Sequence, residues 1–311
     1  MKILIASCTV LSIFIVYTLY TQSRVYSQSQ SLLEIHYLNI GQGDAIYIRT
    51  PSGADILVDT GPANSINKVL GHTLHFINNS LDAVFITHFD ADHSGGLAIL
   101  LRNFSVQYFV TASVYEKTDA LLREIIDTHK AVHTKDRTFL HTTVAAGDKI
   151  IIDKVHEIYF EVLSPDTDDK TNEVNKQSLV MRLVYGDTYF LFMGDADKSI
   201  ERSILQKYSD SLKANIIKLG HHGSRTSSAP EFLEKVAPEF AIISAGLDNS
   251  YGHPHKEVLE TLAQLSFTTN DFRVSSKIKV RDTKTEDQIF YSDGFSVWEK
   301  GSGKKKAPSA P

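Results

Sequence analysis

Cysteine is almost missing from this chain. The one present, Cys8, lies in an apolar N-terminal run, so the rest of the 311 residues carries no thiol. That removes disulfides, thiolate ligands and a cysteine nucleophile from the folded body. It suits an oxidising compartment without requiring one. A surplus of one charge is lacking as well. Lys and Arg number 32, Asp and Glu 37, and the formal net charge is −5. With the signs mixed along the chain there is no basic footprint for a nucleic acid over the whole surface, although a local basic groove is compatible with this balance. No period of roughly 20–50 residues repeats, which excludes a solenoid. Apolar residues are plentiful: 42% are hydrophobic and 10% aromatic, enough to bury a core and to exclude a disordered chain. The length suits one large domain or two small ones.

Ile3 to Tyr20 carries no charge and is mostly Ile, Leu, Val, Phe and Tyr, with Lys2 before it and Arg24 after it. It stands at the lower edge of membrane-span length. It is long for the apolar part of a cleaved signal, and no clear small-x-small cleavage site follows. An uncleaved signal-anchor is the first expectation, a cleaved signal the second and a buried helix the third. The first two place the body outside the cytoplasm, membrane-tethered or secreted. The polar run Thr21 to Ser31 reads as a tether. Residues 1–31 are therefore anchor or signal plus tether, 32–300 the body, and 301–311 a low-complexity tail expected to be disordered.

Within the body, Glu34 to Asn39, Asp44 to Thr50 and Asp55 to Asp59 read as a β-meander turning at Pro51-Ser52-Gly53. A helix is predicted over Asn64 to Asn78, a strand over Leu81 to Thr87, a helix over Gly96 to Phe104, a strand over Val106 to Val110 and a helix over Glu116 to His129. Strands follow at Lys149 to Ile152 and Glu157 to Leu163. Ser178 to Tyr185 and Thr188 to Met193 form a hairpin through Gly186-Asp187, a strong turn signal. Then come a helix over Ser199 to Tyr208, a strand over Ala214 to Leu219, and further alternation through Pro230 to Val236, Ala241 to Ser244 and Lys256 to Leu265. Lys277 to Arg281, Gln288 to Tyr291 and Phe295 to Trp298 read as a closing pair of hairpins. Both halves share one rhythm: meander, helix, then a strand running into a polar turn. That implies an α/β fold of two sheets sandwiched between helices, with strand-end residues meeting along one edge.

The chemistry concentrates in those turns. Thr87 to Gly96 holds His88, Asp90, Asp92 and His93 between an apolar strand and two glycines. Imidazole with carboxylate is the ligand set of a hydrolytic divalent metal. Asp59, Asp195 and His221-His222 occupy comparable turns, each after an apolar strand and beside glycine. Two such metals can activate a shared water, hold a phosphoryl oxygen and stabilise a leaving alkoxide. Carboxylate-rich ligation favours Zn²⁺ or Mn²⁺ over copper. His222, His253 or Lys218 could protonate a leaving group or clamp phosphate. Ser224 to Ser228, with Arg225 among the hydroxyls, leads into a helix and resembles a phosphate cradle. Simpler roles stand beside these. Asp44 can cap a tight turn, and Asp195 can cap the following helix. His72 and His75 can share a solvent face, and His129, His133 and His141 fit the surface. His255 beside Pro254 can simply start a helix.

The motifs Asn39 to Ala45, Leu57 to Gly61, Thr87 to Gly96, Asn175 with Ser178 to Val180, Met193 to Ala196, Lys218 to Ser228 and Ser250 to His255 resemble, in order and spacing, the metallo-β-lactamase fold superfamily. The likeness is strongest to the hydrolase domain of ComEC-type DNA-uptake proteins. It covers roughly Leu32 to Trp298 and implies a four-layer αβ/βα sandwich with a two-metal edge site. The His-x-His-x-Asp-His signature falls on His88, Asp90, Asp92 and His93, with aspartate in place of the second histidine. The resemblance implies that His88 and Asp90 hold the first metal, and Asp92 and His93 the second. It makes Asp195 the bridging carboxylate, has His221 complete the second site, and makes Asp59 the aspartate that orients ligand histidines. The usual middle histidine is missing; Asn175 stands near its place, leaving the first metal a ligand short.

The expected function is a two-metal hydrolase of phosphodiesters, with Asp92, His222 and His253 as catalytic side chains and Asp59, Asn175, Lys218, Ser224 and Arg225 supporting site or substrate. The resemblance implies DNA as substrate, but a single apolar segment makes no pore, so a stand-alone nuclease or phosphodiesterase is the expectation rather than DNA uptake. Competing expectations are a small-molecule or lipid-headgroup phosphodiesterase, a lactonase or β-lactamase, and a non-catalytic tethered scaffold. The expected partners are the diester, possible DNA included, and the membrane through residues 3–20.

Overall fold

The computed structural model describes residues 32–66, 68, 71, 80–114, 139–167, 173–209, 211–268 and 275–302. The expected anchor and tether, most of the helix over Asn64 to Asn78, the helix over Glu116 to His129, and the tail beyond 302 lie outside the described residues. Among the described residues no helix is long and apolar enough to cross a membrane.

Two sheets form the body. The first contains β1 (Leu33–Tyr37), β2 (Ile46–Arg49), β3 (Asp55–Val58), β4 (Ser80–Ile86), β5 (Ser105–Ala112), β6 (Leu140–Val144), β16 (Gln288–Ser292) and β17 (Val297–Glu299), in the order 17-16-1-2-3-4-5-6. The second contains β7 (Lys149–Asp153), β8 (Ile158–Ser164), β9 (Val180–Tyr185), β10 (Thr188–Phe192), β11 (Ile216–Lys218), β12 (Phe240–Ile243) and β15 (Lys279–Asp282), in the order 15-12-11-10-9-8-7. A short ribbon pairs β13 (Ser266–Thr268) with β14 (Ser275–Lys277).

Each sheet is antiparallel on one side and parallel on the other. In the first, parallel pairing begins between β3 and β4; in the second, between β10 and β11. A parallel strand must be reached by a crossover, so its incoming and outgoing ends lie at opposite ends of the sheet. Residues that follow β3, β4, β10 and β11 therefore gather on one rim. The other ends of the strands close in turns at residues 50–54, 154–157, 186–187 and 293–296. These turns meet: Ser52 Oγ donates to Asp153 Oδ1 at 2.9 Å, and the Asp187 N–H to the Gly294 carbonyl at 2.6 Å.

The sheets pack face to face through large rings. Phe85 on β4 meets Phe160 on β8 at 5.0 Å between centroids, and Phe240 on β12 meets Phe290 on β16 at 4.9 Å. These buried aromatics dominate the inter-sheet core. Helix α2 (Leu97–Asn103), after the single turn α1 (Ala91–Ser94), buries Leu97, Leu100 and Leu101 on the first sheet. Helices α3 (Lys198–Tyr208), α4 (Pro230–Val236) and α5 (Lys256–Gln264) cover the second, with Ile200, Ile204, Phe232, Leu233, Val258 and Leu262 in one cluster. The layering is the expected αβ/βα sandwich.

Two expectations change. The C-terminal strands are not a pair of hairpins. β15 joins the second sheet parallel to β12, while β16 crosses to the first sheet against β1, and only β16 and β17 form a hairpin. β6, unforeseen, closes one edge of the first sheet, where its alternation of exposed and half-buried residues gave little apolar signal.

Candidate functional site

The rim above β3, β4, β10 and β11 collects the expected polar residues. Asp59 follows β3 with φ +58°, a left-handed backbone that among non-glycine residues Asn, Asp and His take most readily. Its oxygens take the Thr87 N–H at 2.8 Å, the Thr87 hydroxyl at 2.6 Å and His93 Nδ1 at 2.8 Å. Asp59 thus sets the start of the His88 to His93 turn and the orientation of one ring. The turn itself is held to the β1–β2 loop, where the Asp44 N–H donates to the Asp92 carbonyl at 3.1 Å. Gly43 makes that approach possible, since a Cβ there would lie 2.1 Å from the same carbonyl oxygen.

Asp195 follows β10. The helix cap is Asp197 instead, whose side chain accepts from the Ser199 and Ile200 N–H groups, so the Asp195 carboxylate is free to face the rim. Its own N–H donates to Ser178 Oγ at 3.1 Å. Asn175 enters through its main chain, its carbonyl taking the Ser178 N–H at 3.2 Å. Asn175 therefore supports the Asp195 loop at one remove.

His221 and His222 follow β11 with φ of +48° and +54°. In an extended chain neighbouring side chains diverge; this left-handed pair turns both rings toward Asp195. Two such residues cost on the order of 1–3 kcal/mol each and persist only where the surroundings over-determine them. Here Ser227 Oγ donates to the Gly220 carbonyl at 2.6 Å, the Ser224 N–H donates to the His221 carbonyl at 2.8 Å, and Glu201 accepts the Ser228 and Ala229 N–H groups at 2.6 and 2.8 Å.

Four imidazoles then present Nε2 to the carboxylates. His93 Nε2 is 3.1 Å and His222 Nε2 3.5 Å from Asp195 Oδ1; His88 Nε2 and His221 Nε2 are each 3.8 Å from Asp195 Oδ2. Asp90 reaches His88 Nε2 at 3.6 Å, and Asp92 reaches His222 Nε2 at 3.3 Å. On the outer side each ring has an oxygen at Nδ1: Thr87 for His88 at 3.0 Å, Asp59 for His93 at 2.8 Å, Thr226 for His221 at 3.3 Å and Asp44 for His222 at 3.4 Å. His88, His93 and His221 are hydrogen-bonded at Nδ1 with Nε2 aimed inward, as metal-ligating histidines are, while His222 Nδ1 faces Asp44 as an ion pair without hydrogen-bond geometry. His88, His93 and Asp195 form one group able to hold a metal ion, and Asp44, His93 and His222 another. The fit extends to polar satisfaction, since His88 Nε2 is buried without a hydrogen-bond partner.

Electrostatics follow the geometry. Burial alone would lower the His93 imidazolium, but the Asp195 and Asp59 carboxylates overcome it and hold His93 well above the ordinary range. In the same way His222 is lifted to about 9 against burial by Asp195, Asp44 and Asp92. Burial would raise Asp195, yet His222, His93 and His88 hold it well below the usual carboxylate range.

The remaining expected residues separate. Lys218 is wholly buried and donates to Asp44 Oδ2 at 2.6 Å and the Leu219 carbonyl at 3.0 Å, so it supports Asp44 and does not clamp phosphate. Asp44, expected as a turn cap, is the residue the sequence undersold: buried, it joins Lys218 to His222. Its position inside Asn39 to Ala45, a motif of the resemblance, is the signal that could have found it. Ser224 is buried and accepts from the Thr226 hydroxyl at 3.0 Å, holding the turn from within. Arg225 is exposed, its N–H donating to His255 Nδ1 at 3.1 Å. His253 lies with its ring 5.5 Å from His221 and 6.1 Å from His222. Burial, with His222 and His221 adding, lowers it to about 4. His141 is half-buried against Thr111, not on an open surface; His72, His75, His129 and His133 lie outside the described residues.

Known proteins agree with this picture. The family model of the metallo-beta-lactamase superfamily matches residues 38–246. "ComE operon protein 3" of Bacillus subtilis is 30% identical over 265 residues, which are 78% of this chain and 32% of that protein. "Recombination protein 2" of Haemophilus influenzae is 28% identical over 258 residues, 81% of this chain and 29% of that protein. The chain spans about a third of the length of these curated relatives. Among solved structures, the CmlA beta-hydroxylase E377D mutant aligns with a TM-score of 0.53 at 12% identity, over 83% of this chain and 53% of that one. A long-form RNase Z from yeast aligns with a TM-score of 0.50 at 12% identity, over 84% of this chain and 42% of that one. At that identity these two share the fold alone. With the model match over most of the body and the metal-type cluster on the rim, the chain belongs to the metallo-β-lactamase superfamily, as a metallohydrolase-type domain related to bacterial competence proteins.

Proposed function

We propose that this chain hydrolyses phosphodiester bonds with two divalent cations held on the rim between its sheets. One observation carries the proposal: each oxygen of the Asp195 carboxylate faces its own pair of histidines, His93 and His222 on Oδ1, His88 and His221 on Oδ2. In this assignment Asp92, His93 and His222 with Asp195 would hold one cation, and His88, Asp90 and His221 with Asp195 would hold the other. His221 thereby fills the place left by the missing middle histidine, and His222 is a ligand instead of an acid. A donor set of four imidazoles and three carboxylates suits Zn²⁺ or Mn²⁺. Two such cations, when bound, lower the pKa of a water and draw charge from a phosphoryl oxygen.

The chain's own residues supply the rest. Asp59 and Asp44 keep His93 and His222 in register. His253, neutral near pH 7, stands at the edge of the cluster as a proton acceptor or hydrogen-bonding group and not as the acid first expected. The exposed Arg225 guanidinium, 3.9 Å from Glu257 Oε1, can exchange that solvent-screened pair for a neighbouring phosphate. A relative named for recombination favours a nucleic acid as the diester. The uncharged run Ile3 to Tyr20 supports a membrane-tethered or exported enzyme.

Elemental analysis of the purified chain is expected to find close to two divalent ions per molecule, and bis-p-nitrophenyl phosphate to be cleaved with Mn²⁺ or Zn²⁺. Asp195→Ala should lose both metal and cleavage. A chain that binds no metal defeats the proposal. Parallel assays on DNA, RNA and glycerol- or choline-type diesters identify the substrate; cleavage of the small diesters alone removes the nuclease part.

A further inference from the structure

Beside the cluster stands an exposed tyrosine that none of the assigned roles uses. Tyr251 lies on the loop between β12 and α5 and is 65% exposed. One face of its ring stacks on His253, with centroids 5.6 Å apart and planes inclined by 17°. His253 in turn is 5.5 Å from His221, so Tyr251 sits one ring away from a proposed ligand. Leu247, on the same loop, is also 65% exposed.

The loop that carries this ring is braced on both sides of it. Asn249 gathers it from inside: its Nδ2 donates to the Gly246 and His253 carbonyls at 2.8 and 2.7 Å, and its Oδ1 accepts the His253 N–H at 2.8 Å. Gly246 abuts the loop before β2, where a Cβ would lie 2.9 Å from the Gln42 nitrogen. Pro254 packs against Gly223, a Cβ on which would lie 2.8 Å away. A ring that is mostly open to solvent on a braced loop gains little from burial, and a flat partner would find it already positioned.

We infer that Tyr251 is a stacking platform for an unpaired nucleobase next to the scissile phosphate, and so a specificity-determining residue. The inference rests on the phosphodiesterase proposal and deepens it. The partner's chemistry follows from the surroundings. The ring is flat and stacks on His253, whose ring is 4.9 Å from that of His255; the Arg225 main-chain N–H donates to His255 Nδ1, and the exposed Arg225 guanidinium stands 3.9 Å from Glu257 Oε1 in a solvent-screened pair that a phosphate can replace. A phosphate between two such features brings a base to the ring. Base–aromatic stacking contributes about 1–3 kcal/mol and is tolerant of base identity. It requires a base whose face is free, so strands without a complement fit and the interior of a duplex does not.

The test uses the full metal-loaded chain and single-stranded oligonucleotides, intact or with abasic sugars in place of every base. The native chain should cleave intact strands with a KM lower by about 5- to 150-fold than abasic strands. In Tyr251→Ala that ratio should collapse toward one, and in Tyr251→Phe and Tyr251→Trp it should survive. Metal content and Tm of Tyr251→Ala should match the native chain, as expected for an exposed ring. An intact-to-abasic ratio unchanged in Tyr251→Ala overturns the inference while leaving the nuclease proposal standing. Cleavage of small diesters with no cleavage of any oligonucleotide overturns both. Equal cleavage of blunt duplex and single strands also overturns the platform.

Discussion

The ion pair of Asp44 and Lys218, 2.6 Å apart and shielded from water, shows how a residue's role can be hidden in its sequence. Lys218 beside a histidine turn looked like a phosphate clamp, and Asp44 like a turn cap. Pairing them joins the β1–β2 loop to the end of β11 across the sandwich, a contact that no local spacing encodes. Removing one partner of a buried pair leaves an uncompensated charge. Lys218→Met should therefore lose about 3–5 kcal/mol in urea unfolding, and adding Asp44→Asn should recover part of the loss. Asp44→Asn alone should weaken metal binding about 10- to 100-fold, through His222. Protons compete at the same rings. Because His222 is raised to about 9 and His93 is raised as well, the metal-free chain holds protons there at neutral pH that a cation must displace. Metal affinity should then rise with pH up to about 9, with proton release visible in calorimetry across buffers of different ionisation heat. Affinity that is flat between pH 6 and 9 would contradict this.

At the scale of elements, the strand-to-turn units were the legible part. The hairpin through Gly186-Asp187, the apolar β4 and the residues after it lie where periodicity and turn chemistry put them, because those signals are local. β15 was not legible as a partner of β12, because parallel pairing over a long crossover leaves no turn signature. The doubled left-handed turn at His221-His222 had no visible cue either; its supports come from α3 and from the loop beyond it. Glu201 is one such support, and burial pushes its carboxyl up from 4.5 to about 7 despite the Ser228 and Ala229 N–H groups. In that window the folded chain keeps a proton that the unfolded chain has lost. The stability this confers is complete below about pH 4.5 and declines as pH rises to about 7, by roughly 3 kcal/mol at most. Denaturant melts of the native chain and Glu201→Ala between pH 5 and 8 should show the native slope flattened in the variant. Gly43→Ala tests the loop against α1. Its methyl group would force the Asp92 carbonyl away, and metal content should fall.

For the molecule as a whole, the proposed ligands are divided between the sheets. His88, Asp90, Asp92 and His93 follow β4 in the first sheet, while Asp195, His221 and His222 follow β10 and β11 in the second. A cation held by both groups would link the two layers and bind only the folded chain. Each site should add about 2.7 kcal/mol of stability at a hundred-fold excess over its Kd. Chelation should lower Tm, and Zn²⁺ or Mn²⁺ should restore it; a melt indifferent to chelator would mean that the rim does not join the layers. The two-sheet plan was readable from the repeated rhythm of the halves, but the crossing of β16 back to the first sheet was not. The turns at 50–54, 154–157, 186–187 and 293–296 have a practical consequence. They lie at the end of the strands away from the rim, and the tip at Val155 is 79% exposed. A fluorescent protein or affinity handle spliced in at Val155 would hang from the back of the sandwich and leave the metal rim open for immobilisation or imaging studies.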